Sequence, residues 1–166
     1  GVSGRVASGD GLSAYQRQQI ALRASDKTDK EKAQQRKMFR SDVRDMLRRP
    51  NRILTAYNKL RGQNLLEMAI LTNAPKQIAN IRKYEREMRK LLRDAADPKA
   101  DIQALNKKYL ELSEKINDES ATLRSDIVGA AKEGSADRVA AELEAVDSAE
   151  DNARDALERA REEMES

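Results

Sequence analysis

The chain of 166 residues carries 32 Lys and Arg against 29 Asp and Glu, a net charge of +3, and it holds no Cys, His or Trp and one Phe. Those absences exclude disulfide staples, Cys/His metal centres, Ser-His-Asp catalysis, a Cys nucleophile and a haem ligated by His or Cys. Ala, Leu, Arg, Lys and Glu make up about half of the chain, the composition of long helices or coiled coils. Leu, Ile, Val and Phe together supply just under a fifth, so an elongated all-α molecule with a thin core is expected, built from helical hairpins or a bundle.

Residues 1–11 hold four of the seven Gly and no apolar period, and are expected to form a flexible arm. A basic helical region follows at 12–74, then a long helical hairpin at 75–134 and an acidic C-terminal helix at 135–166. A first short helix is expected from Leu12 to about Ala24, with Tyr15, Gln19 and Leu22 inward. Thr28 with Glu31 has the spacing of a capping box and predicts a new helix start there. That helix places Phe39, Val43, Met46 and Leu47 on one face and should end at Pro50, since proline removes an amide and clashes with the preceding turn.

Pro50, Pro75 and Pro98 are each read as helix starts, where proline is tolerated best, and Asp97-Pro98 is the sharpest cap in the chain. Gly62 is expected to end or bend the Pro50 helix, and Asn64 with Glu67 to recap a short helix after it. Residues 53–71 form the most apolar stretch and the expected centre of the core. Ile81, Tyr84, Met88, Leu91 and Ala95 recur at heptad steps, as do Ile102, Leu105, Tyr109, Leu112 and Ile116; a stutter then leads to Ser120, Leu123 and Ile127. Gly134-Ser135 reads as a stop and a new cap. The last helix repeats Val139, Leu143, Val146, Glu150, Ala153, Leu157, Ala160 and Met164. Helix-packing contacts are therefore expected of Ile81, Tyr84, Met88, Leu91, Val139, Leu143, Val146 and Leu157, within the chain or with another copy.

Charge is unevenly spread. Residues 1–99 carry 23 Lys/Arg against 11 Asp/Glu, net +12, and residues 100–166 carry 9 against 18, net −9. Such asymmetry points to a polyanion partner, to head-to-tail attraction between copies, or to two halves that pair. Arg36, Arg40, Arg44 and Arg48 form an i, i+4 row beside the apolar stripe, with Lys37 adjacent and Arg49 and Arg52 next to Pro50. These seven are the candidate polyanion-binding residues, because the guanidinium fork can bond two phosphate oxygens; a solvated face is the simpler alternative. A second cluster, Arg82, Lys83, Arg86, Arg89, Lys90 and Arg93, is offset by Glu85 and Glu87, with Glu85–Arg89 and Glu87–Lys90 as candidate pairs, and reads as a solvated face.

No carboxylate pair stands out, no EF-hand or phosphate-loop spacing occurs, and Gly9-Asp10-Gly11 reads as linker, so no enzyme activity, metal, cofactor or small-molecule substrate is expected. No stretch approaches a membrane span, since the longest apolar run is interrupted by Glu67. The opening residues lack a secretory pattern, Gly1 is expected of a processed or truncated chain, and the lack of Cys fits a cytoplasmic or virion setting. The reading is a non-catalytic structural or assembly protein, a homo-oligomer or part of a complex, with a virion-internal or scaffold-like component as one concrete form. The alternative is a nucleic-acid-binding helical module that uses residues 36–61, with an acidic C-terminal helix.

Overall fold

The computed structural model describes residues 13–165; the side chains of residues 19–27, 157, 160, 161 and 163–165 are not described. The expected arm at 1–11 lies outside the described residues. The chain is all-helical and forms a helical bundle. Its elements among the described residues are α1 (Ala14–Gly62), α2 (Met68–Asp94), α3 (Ile102–Gly129) and α4 (Ala136–Glu165).

Three expected helix breaks do not occur. α1 runs unbroken through Ser25-Asp26-Lys27-Thr28, so the predicted break at 25–28 is overturned. Mid-helix Ser, Asp and Thr cost only a few tenths of a kcal/mol each, and no Gly or Pro interrupts residues 12–49. The capping box sits instead at Ser13 and Gln16, whose backbone and side chains bond reciprocally at 3.0 and 3.1 Å.

Pro50 and Pro75 lie inside α1 and α2 rather than at helix starts. An interior proline costs about 3 kcal/mol. At Pro50 this is offset because both flanks are anchored: Met46 before it and Ile53 and Leu54 after it are buried, each contributing about 1.5–3 kcal/mol. Asn51 Nδ2 donates to the Leu47 carbonyl beside the proline (3.4 Å). At Pro75, Ile70 and Ala74 on one side and Ile81 on the other are buried.

The α1 C-terminus is a Schellman motif. The Leu65 amide donates to the Leu60 carbonyl (3.2 Å) and the Asn64 amide to the Arg61 carbonyl (3.0 Å). Asn64 stands at φ 59°, the left-handed position, so it terminates α1 rather than recapping a helix, and Gly62 is still helical. Glu67, not Asn64, precedes α2.

The helix cap after Asp97-Pro98 is also displaced. Asp97 closes a turn by accepting from the Lys99 amide (2.9 Å), and Asp101 caps α3 by accepting from the Ala104 amide (3.2 Å). Gly134, at φ 81°, does supply the turn before α4.

Packing divides the bundle into two layers. Phe39, Val43 and Met46 of α1 meet Met88 and Leu91 of α2 and Leu112 and Ile116 of α3. Toward the other end Ile53, Leu54, Tyr57 and Leu60 meet Ile70, Ala74 and Ile81, Leu123 and Ile127, and Val139 and Leu143 of α4. Each pair of consecutive helices is therefore antiparallel. The core includes the expected 53–71 stretch but extends well beyond it. Among the described residues α4 packs on α1 and α3 and makes no close backbone approach to α2. At its end of the bundle the two loops are joined: the Glu67 amide donates to the Ala130 carbonyl (2.7 Å) and the Lys132 amide to the Leu65 carbonyl (2.9 Å). Between the layers the buried positions are Pro50 on α1 and Glu85 on α2.

α1 is about 73 Å long, while α2 and α3 are about 40 Å. The difference is the N-terminal part of α1, in which every described side chain from residue 13 to residue 35 is exposed.

Candidate polyanion-binding surface

The bundle divides the seven basic residues expected to act together. Arg49 and Arg52 face α4. With Asp147 and Arg154 they set the field around Glu150, whose carboxyl is raised above its usual range because burial, aided by repulsion from Asp147, outweighs the attraction of the three arginines. Arg49 also lies 3.8 Å from Asp45. Nearby, Lys59 pairs with Glu142 (3.0 Å) and Arg124 of α3 with Asp147 (2.6 Å). The first half of the acidic helix is thus held by cations of α1 and α3.

Arg36, Lys37, Arg40, Arg44 and Arg48 lie farther along α1. Arg36 donates to the Pro98 carbonyl (3.4 Å). Arg40 is half-buried, and its Nε has no hydrogen-bond partner. Lys37, Arg44 and Arg48 are exposed, and none of the three is in an ion pair among the described residues. At 100° per residue Asp42 stands about 160° around the helix from Arg40, on another side, while Asp45 stands about 60° from Arg48 and borders the row on one flank.

On α2, Glu85 is fully buried, with Arg82 3.1 Å from one carboxylate oxygen and Arg89 3.8 Å from the other. The expected Glu85–Arg89 pair therefore forms, with Arg82 as its closer partner. The Glu87–Lys90 pair does not form within the 4.0 Å of an ion pair. Arg82 also donates to Asn51 Oδ1 of α1 (3.1 Å), a contact between α1 and α2 that sequence reading missed. Each signal was visible alone; only the packing joins them.

The expected packing residues fall as follows. Ile81, Met88, Leu91, Val139 and Leu143 are buried, Tyr84 and Val146 are half-buried, and the Leu157 side chain is outside the described residues. Phe39 meets Tyr109 edge-on at 5.8 Å, and the Tyr109 hydroxyl is raised above its ordinary range chiefly by burial.

Among the described residues there is no group of three or more Asp and Glu placed to hold a metal ion, and no helix is long and apolar enough to cross a membrane. No protein-family model matches the chain, and no curated protein or solved structure is significantly similar to it.

Proposed function

We propose that this protein is a non-catalytic structural or assembly component that works through helix-to-helix contacts with other chains, as a scaffold-like or virion-internal protein does. The observation that carries the reading is the projecting part of α1. Residues 14–35 extend about 33 Å along the helix axis with every described side chain exposed, and among those described Lys32 and Gln35, at the end next to the bundle, border the loop before α3 and its first turn. A helix gains most of its stability from tertiary packing, so one that leaves its own bundle is stabilised by a neighbour supplied from outside. Lys37, Arg44 and Arg48 on α1 and Asp151, Asp155, Glu158 and Glu162 on α4, all exposed, add charged faces of opposite sign for such contacts.

The test is sedimentation equilibrium of the intact chain over the micromolar range, paired with amide hydrogen exchange. Association is expected with rising concentration, together with slower exchange across residues 14–35. A monodisperse, cooperatively melting monomer whose 14–35 amides exchange freely at every concentration overturns the reading.

A further inference from the structure

We propose that the seam between α1 and α2 is a binding face for the phosphate backbone of a nucleic acid, built from one arginine row on each helix. This is a second function, independent of the assembly reading. At 100° per residue, Arg82, Arg86, Arg89 and Arg93 fall within about 60° of one another on α2. Arg40, Arg44 and Arg48 fall within about 80° on α1, and Asn51 lies inside the same sector. The hydrogen bond from Arg82 to Asn51, at 3.1 Å, shows that the two sectors border one seam.

The helices are antiparallel, since Leu60 packs with Ile70 at one end while Phe39 packs with Leu91 at the other. From the Arg82–Asn51 contact, α2 therefore carries Arg86, Arg89 and Arg93 past Arg48, Arg44 and Arg40 in turn. The α1 row covers about 12 Å of axis, the span of roughly three or four phosphates of one duplex strand at 3.4 Å each.

The seam has little negative charge of its own. Glu85 is fully buried beneath Arg82 and Arg89, and Glu87 lies about 140° away from Arg82. Asp94, Asp97 and Asp101 border Arg93 at the far end. Among the described residues the acidic helix makes no close backbone approach to α2; it packs on α1 and α3, and its Glu142, Ala145 and Ala149 border a groove with Asn51 on the flank of the α1 row away from α2. Arg44, Arg48, Arg86 and Arg93 are exposed and in no ion pair among the described residues. Guanidinium forks match phosphate oxygens bidentately, and no aromatic side chain interleaves the rows, so the expected mode is backbone contact without base readout.

The experiment is fluorescence anisotropy of a labelled mixed-sequence DNA duplex with the intact chain between about 50 and 200 mM KCl. Two double variants are compared with wild type: Arg44→Gln/Arg48→Gln on α1 and Arg86→Gln/Arg93→Gln on α2. Both leave the Glu85 ion pairs intact, and thermal melts confirm folding. Each is expected to weaken binding about tenfold or more and to flatten the log–log salt slope by about 1.8 units, the loss of two phosphate contacts. A control, Asp151→Asn/Asp155→Asn on α4, should not weaken binding. Absence of binding by wild type at the lowest salt overturns the proposal. So does a loss confined to the α1 variant, which would reduce the face to one row. Unchanged DNA binding with lost self-association in sedimentation overturns it too, and assigns the rows to the acidic α4 of a second copy.

Discussion

Lys132 Nζ donates to Asn64 Oδ1 at 2.7 Å, tying the α3–α4 loop to the one described non-glycine residue with a positive φ. Asn64 thus does two jobs. Its backbone takes the left-handed turn that ends α1, and its side chain joins that turn to the neighbouring loop, where two backbone hydrogen bonds between residues 65–67 and 130–132 complete the clasp.

Substitution separates the two roles. Asn64→Ala should destabilise by about 1.5–3.5 kcal/mol, combining the left-handed penalty of about 1–2 kcal/mol with a lost hydrogen bond of about 0.5–1.5 kcal/mol. Asn64→Gly keeps the turn and should lose only the second part. Urea unfolding measures both; equal losses would show that the turn conformation contributes nothing.

Glu85 supplies the second prediction. Its carboxylate is fully buried and is compensated by two arginines whose side chains are 45% and 49% exposed. Removing both cations, as in Arg82→Met/Arg89→Met, leaves an uncompensated buried charge and should cost about 3 kcal/mol or more. Glu85→Leu replaces the group with an apolar one of similar size and should be near neutral. Chemical denaturation of the two variants should rank them in that order; the reverse order would mean that the carboxylate holds the layer together.

Glu150 makes a pH prediction. Burial raises its carboxyl above the ordinary 4.5, with the attraction of Arg49 and Arg52 opposing. The folded state therefore binds this proton more tightly than the unfolded state. The stabilisation is full below about 4.5 and is lost as pH rises through the folded value. Glu150→Gln should stabilise the fold slightly at pH 7, by less than about 1 kcal/mol for a partly exposed group, and leave stability unchanged at pH 4. Melting curves of both proteins at the two pH values decide it, and a variant that is less stable at pH 7 contradicts the sign.

The core makes the plainest contrast. Ile70 is 3% exposed and Leu110 is 58% exposed, yet both are large aliphatics on helices. Ile70→Asp should destabilise by at least about 3 kcal/mol, since it replaces apolar contact with an unpaired charge. Leu110→Asp should stay within about 0.5 kcal/mol of wild type. Thermal melts of the pair test whether the layer around Leu60 and Ile70 carries the fold.

Composition and period determined the helical class, because about half of the chain is Ala, Leu, Arg, Lys and Glu and its apolar residues recur at helical steps. They also placed the turn at Gly134 and most of the buried stripe positions, since burial on a helix follows the 3.6-residue repeat. The prolines were misread for a physical reason. Local rules give Pro50 an interior penalty of about 3 kcal/mol and predict a break, whereas the packing of Met46, Ile53 and Leu54 across it exceeds that penalty. The same limit applies to the charges. Sequence could count the arginines and set them in rows, but the side on which each row lies is fixed by contacts between residues far apart in the chain. Only the antiparallel packing of α1 and α2, with Arg82 bonded to Asn51, brings two rows to one seam and turns Arg49 and Arg52 away toward Glu150.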